Sequence, residues 1–157
     1  MKNIGIIGNG FVGSAIVAGF SLHANVRVYD KDDRRAINTL EDTVNKSDYV
    51  FVGVPTPMET IEGGKIDLSI MDSVFDQLNA INRNEKTIFI IKSTVVPGTT
   101  KKYQDKYKNM RIVFNPEFLT ERSANLDFIN TSRIILGGAQ ADVDAVERLY
   151  RDRFPHA

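Results

Sequence analysis

The chain has 157 residues, 20 basic and 20 acidic side chains, 42% hydrophobic content and no cysteine. That balance suits a globular domain with a buried core and offers no net field to nucleic acid or an anionic surface. It excludes disulfides, thiolate metal sites and a cysteine nucleophile within these residues.

No apolar run approaches the roughly 18 residues needed to span a bilayer, and Met1-Lys2-Asn3-Ile4-Gly5 does not read as a signal peptide. A cytoplasmic location is therefore expected, with neither nucleic acid nor membrane as partner. The two histidines, His23 and His156, lie far apart in the chain and read as surface residues.

In chain order, short apolar runs at Ile4–Ile7, Val26–Tyr29, Tyr49–Val52, Thr87–Ile91, Arg111–Phe114 and Arg133–Leu136 predict six strands. Several are apolar at consecutive positions and rich in Val and Ile, as strands covered on both faces are. Between them, helical spacing predicts helices over 11–22, over 68–82 with Asp67 placed to cap, from Pro97 to about Asn109, and over 141–153. Residues 54–66 and 115–131 read as irregular. This alternation predicts an α/β, doubly wound, mostly parallel six-stranded sheet of Rossmann type, in the order 3-2-1-4-5-6. The irregular stretches follow strands, so they should emerge at the carboxyl edge of the sheet, where open α/β folds bind ligands.

Gly8-Asn9-Gly10-Phe11-Val12-Gly13 fits G-x-G-x-x-G, directly after the first strand and at the head of the first helix. In that context Gly8 permits the tight turn, Gly10 lets a pyrophosphate approach the backbone, and Gly13 lets helix and strand pack closely. Phe11 and Val12 open the helix, whose free N–H groups favour phosphate. The second strand ends at Asp30, 17 residues after Gly13. A carboxylate there can accept from an adenosine ribose and would repel a 2′-phosphate, which favours NAD over NADP. Lys31, Arg34 and Arg35 act against that preference, since nearby cations could hold a phosphate.

Three later segments each follow a strand: Val54-Pro55-Thr56-Pro57, Ser93-Thr94-Val95-Val96-Pro97-Gly98-Thr99 and Asn115-Pro116-Glu117-Phe118-Leu119-Thr120-Glu121. Together with the glycine loop, and in this order, they resemble the amino-terminal NAD-binding domain of the UDP-glucose/GDP-mannose dehydrogenase family. The resemblance covers essentially the whole chain. It implies NAD as cofactor and a nucleotide sugar as substrate, oxidised at C6 from alcohol to carboxylate at the expense of two NAD.

By the same resemblance Val12, Asp30, Arg35, Thr56, Thr94 and Glu121 match NAD-contacting positions. Residues Glu117, Phe118, Leu119, Thr120 and Glu121 match a loop that contacts the nucleotide sugar. Glu117 matches a glutamate of acid–base or water-managing role, and Thr94 a threonine that helps place that water. Read from the residues alone, Thr94 could instead cap the helix near Pro97, and Glu117 could be a structural carboxylate holding loop N–H groups.

The chain departs from the family at three places. The link from Asp30 to Val54 is short, where the family has a longer crossover. Arg122 stands where the family loop has glycine, which matters if that position needs positive φ. The family's second domain, which supplies a catalytic cysteine, a lysine and an asparagine, is not within these residues. The chain is thus expected to be one NAD-binding domain, monomeric or homodimeric, that binds cofactor without completing the four-electron reaction. Two other readings stay open: a β-hydroxyacid-type dehydrogenase domain, and a stand-alone dinucleotide-binding sensor.

Overall fold

A computed structural model describes residues 1–58, 64–116, 121–130, 133–155 and 157, and for Glu121 the backbone alone. The elements run β1 (Lys2–Ile7), α1 (Phe11–Phe20), β2 (Ala24–Tyr29), α2 (Leu40–Asn45), β3 (Tyr49–Val52), α3 (Ser69–Ile81), β4 (Ile88–Ile91), α4 (Thr99–Lys106), β5 (Arg111–Phe114), α5 (Ala124–Ile129), β6 (Gly137–Gly138) and α6 (Gln140–Arg153). A 3-10 turn, Glu121–Ser123, precedes α5.

The six strands form one sheet in the order β2-β1-β3-β4-β5-β6. The first five are parallel and β6 is antiparallel to β5. Alternation along each strand splits the apolar side chains between two cores. Tyr49 and Phe51 of β3, Ile88 and Ile90 of β4, and Val113 of β5 join Ile16 and Phe20 of α1, Phe128 of α5, and Val146, Leu149 and Tyr150 of α6. Val50, Val52, Phe89, Ile91 and Ile112 join Val44 of α2, Met71, Phe75 and Leu78 of α3, and Tyr103 of α4 on the opposite face. Both faces are covered, as consecutive apolar positions require, so the sheet is doubly wound. Among the described residues no helix is long and apolar enough to cross a membrane.

The expected order 3-2-1-4-5-6 is corrected. Among the described residues no strand lies outside β2. The chain returns at once to the far side of β1, because residues 31–48 leave room for one short helix and not for a further strand–helix unit. Thr39 starts that helix by accepting the Asp42 N–H at 3.2 Å, with Glu41 and Asp42 in the first turn. Just before it the chain folds back on β2. Ile37 and Asn38 donate their N–H groups to the Val28 carbonyl, and the Val28 N–H donates to Asn38 Oδ1 at 2.9 Å.

Two further expectations shift. The sixth strand is not Arg133–Leu136 but the pair Gly137–Gly138. Ile134 and Leu136 pack on the core, yet the Ile135 carbonyl accepts the Asn115 side-chain amide at 2.9 Å rather than a strand partner. The stretch 115–131, read as irregular, contains α5. That helix packs on α1 through Phe128, whose ring lies 6.0 Å from Phe20 and 5.4 Å from Phe154.

The helix bounds otherwise differ by a few residues. Asp67 does not cap α3, whose N-cap is Leu68 without a side-chain cap; Asp67 Oδ1 instead accepts the Ser69 N–H at 2.9 Å, in a turn one residue before the cap. Pro97 stands before α4 rather than within it.

Candidate functional site

The carboxyl ends of the parallel strands open onto one edge, and the loop from β1 to α1 is its best-defined part. Gly8 has φ +94, donates its N–H to the Tyr29 carbonyl at 2.9 Å, and passes so close to β3 that a Cβ would lie 2.5 Å from the Gly53 carbonyl oxygen. A Cβ at Gly13 would lie 2.0 Å from the Gly8 carbonyl oxygen. These two positions accept only glycine because backbone packs on backbone. Gly10 is different: a Cβ there would meet nothing within 4 Å. It is the N-cap of α1, with no side-chain cap and no acidic residue in the first turn. Open space above a helix amino terminus with uncapped N–H groups is what a phosphate needs.

Asp30, at the end of β2, faces this loop. Its Oδ2 accepts the Asn9 N–H at 2.8 Å and its Oδ1 accepts the Asp32 N–H at 2.8 Å. Two carboxylate oxygens offer about four acceptor positions, so half remain for ribose hydroxyls. The Asn9 side chain ties the loop to the turn after β2, donating Nδ2 to the Arg35 carbonyl at 3.0 Å and accepting from Ser14 Oγ at 3.2 Å. Arg35 itself lies 4.0 Å from Asp32. Phe11 is 46% exposed at the head of α1, and Val12 packs on the core beneath it.

On the same edge of the sheet the loops after β3 and β4 are knitted together. Thr56 Oγ1 donates to the Thr94 carbonyl at 2.6 Å, and Ser93 Oγ donates to the Val54 carbonyl at 2.6 Å. With its proton spent on that carbonyl, Thr56 can offer a ligand only acceptor lone pairs. Thr94 is exposed and does not cap α4, whose N-cap is Gly98 at φ 88. Asp30 after β2 and Thr94 after β4 are three strand spacings apart, about 14 Å.

Glu117, Phe118, Leu119 and Thr120 lie outside the described residues, as does the side chain of Glu121. The Glu121 backbone enters the 3-10 turn together with Arg122. No described non-glycine residue has positive φ, so Arg122 meets no demand for glycine at its position.

A cluster not expected from the sequence lies beneath the β4 and β5 loops. Lys92, directly after β4, is 4% exposed. Its Nζ lies 2.7 Å from Asn115 Oδ1 and 3.4 Å from the Tyr150 hydroxyl, which also donates to Asn115 Oδ1. The Phe128 and Tyr150 rings flank Nζ at 5.9 Å. Burial pushes the Lys92 amine well below the ordinary lysine range and the Tyr150 hydroxyl upward. The cluster fastens the chain just before the 93–99 loop to Asn115, directly after β5, and to Tyr150 of α6. A lysine closing the run Ile88–Ile91 was the one signal that could have disclosed it.

The family model for the UDP-glucose/GDP-mannose dehydrogenase family, NAD binding domain, matches residues 28–153. The chain belongs to that family. Its cofactor is accordingly NAD, and the open, uncapped glycine loop fits that group.

Within the family, the UDP-glucose 6-dehydrogenase of Streptococcus pneumoniae is 25% identical over 176 residues, covering 94% of this chain and 44% of that protein. The Campylobacter jejuni UDP-glucose 6-dehydrogenase is 34% identical over 102 residues, covering 65% of this chain and 25% of that protein. A GDP-mannose dehydrogenase structure from Pseudomonas aeruginosa superposes with a TM-score of 0.80 at 21% identity, over 98% of this chain and 45% of that one. A UDP-glucose dehydrogenase structure from Pyrobaculum islandicum does so with a TM-score of 0.80 at 23% identity, over 98% and 44%. These structural likenesses establish the fold. The chain spans less than half the length of these relatives.

Proposed function

We propose that this chain is the NAD-binding half of a nucleotide-sugar 6-dehydrogenase, which converts the C6 alcohol of a UDP-glucose-type substrate to a carboxylate. The observation that carries the reading is the pairing of an open Gly10 with an Asp30 carboxylate turned onto the same loop. The backbone of residues 8–13 and the α1 amino terminus receive the pyrophosphate. Asp30 accepts from the adenosine ribose, with Arg35 beside it. Phe11 and Val12 line the entry. Thr56, Thr94 and Glu121 serve the distant half of the cofactor.

Bound NAD supplies the hydride acceptor. In this reading Thr94 and Glu117 hold the water and the proton that a carboxylate product requires. Residues 117–121 meet the sugar nucleotide. Oxidation of alcohol to carboxylate removes two hydrides and passes through an aldehyde that a nucleophile must trap. The chain has no cysteine, so a thiol nucleophile must come from outside these residues. The family's second domain is the proposed source.

Titration calorimetry with NADH, NADPH and UDP-glucose tests the reading. NADH is expected to bind more tightly than NADPH. The reverse order would remove the role given to Asp30, and no dinucleotide binding at all would overturn the reading.

A further inference from the structure

The turn after β2 carries three cations, Lys31, Arg34 and Arg35, of the kind that hold the 2′-phosphate distinguishing NADP from NAD. Asp30 alone faces them as the expected discriminator. A second carboxylate, Asp32, acts on them as well. Arg34 folds back on Asp32 as a two-pronged pair, with Nε 3.1 Å from Oδ1 and Nη2 2.9 Å from Oδ2. The Arg34 N–H donates to the same Oδ1 at 3.1 Å, and Arg35 Nε lies 4.0 Å from Oδ2. Asp32 is fixed in turn to the ribose-facing acid, its N–H donating to Asp30 Oδ1. The Arg34 guanidinium and backbone N–H hold the Asp32 carboxyl below the usual carboxylate range.

Resting on the NAD reading above, we propose that Asp32 is a second determinant of NAD over NADP selectivity. It occupies the fork of Arg34 and offsets the charge of Arg35, so that neither is free for a 2′-phosphate. Residues 30–35 hold three acids and three bases. A phosphate bringing a charge of about −2 into that neutral turn would have to displace one carboxylate while lying beside another. Arg34 is 89% exposed and Asp32 30% exposed, so the pair biases the guanidinium rather than locking it. The effect of Asp32 is therefore several-fold and sensitive to salt.

The test measures the ratio of NADH to NADPH affinity by calorimetry at low ionic strength, for the wild-type chain, Asp32→Asn, and Asp32→Asn combined with Arg34→Ala. Asparagine keeps an acceptor for the Arg34 N–H, while it removes the charge and turns the acceptor of Nη2 into a donor, so the two-pronged pair with Arg34 is lost. Asp32→Asn should lower the ratio about fivefold, high salt should erase most of the change, and adding Arg34→Ala should reverse it. Thermal melts establish that each variant folds; if Asp32→Asn does not, Asp32→Ser, which also keeps a turn acceptor, takes its place. An unchanged ratio in a variant whose wild-type parent binds NADH overturns the role of Asp32 alone. A wild-type chain that binds neither dinucleotide overturns the NAD reading itself, and this proposal with it.

Discussion

The Asp30 carboxylate accepts the Asn9 backbone N–H at 2.8 Å, so the acid expected to meet the ribose also braces the loop expected to meet the pyrophosphate. Asp30→Ala removes both contributions and should weaken NADH binding by about 1–3 kcal/mol, as for loss of charge-assisted hydrogen bonds. Asp30→Asn keeps an acceptor for Asn9 and should lose less. Calorimetric titration of both variants separates brace from ligand contact, and an unchanged affinity in Asp30→Ala would count against any ribose contact.

Gly10 and Gly13 should respond oppositely to a single methyl group. Gly13→Ala drives a Cβ into the Gly8 carbonyl and should lower stability by about 1–3 kcal/mol or more. Gly10→Ala adds a Cβ in open space, so its melting temperature should stay close to wild type while NADH affinity drops. Thermal melts paired with titrations check this; equal thermal losses at both positions would contradict the distinction.

Lys92 gives stability a defined dependence on pH. Its folded pKa is lowered by burial, so the unfolded chain binds the proton more readily. Stability should therefore rise with pH from the lowered folded value toward the ordinary lysine value of about 10.4. Tyr150 and Tyr103, whose pKa values burial raises, act in the opposite sense above about pH 10. Denaturant melts across the alkaline range should show the rise in the wild type and its loss in Lys92→Met. A slope that survives the substitution would assign the proton elsewhere.

A purified 157-residue chain should bind NADH yet fail to turn UDP-glucose into UDP-glucuronate, since it contains no cysteine. Coupled NADH-formation assays with product analysis check this. Glucuronate formed by the chain alone would show that the trapping nucleophile lies among these residues.

The legible parts of the molecule were those where one residue type has one physical reason. A glycine loop between a strand and a helix, with an acid ending the next strand, is readable because only bare backbone fits at Gly8 and Gly13. The long helices were readable because Met71, Phe75 and Leu78 repeat on one face. α2 and α5 were not, being six residues each and too short for period to show. In α5 Leu126 is 64% exposed and only Ala124 and Phe128 are buried, so its apolar content misleads. The strand order differs because the link over residues 31–48 is too short for a further strand–helix unit, a limit of chain length that the glycine-loop pattern does not carry; Asn38 binding back to Val28 then closes the edge left there. The Lys92 cluster depends on residues 23 and 58 positions apart, beyond any local pattern.

Asn38 also has a consequence for how the sheet ends. An outermost strand exposes unpaired donors and acceptors on which another chain can build. At Val28 both outward groups are already satisfied, the donor by the Asn38 side chain and the acceptor by the Ile37 and Asn38 N–H groups. Asn38, with the Ile37 N–H, thus stands in for a neighbouring strand, shielding that stretch of the border from strand exchange between molecules.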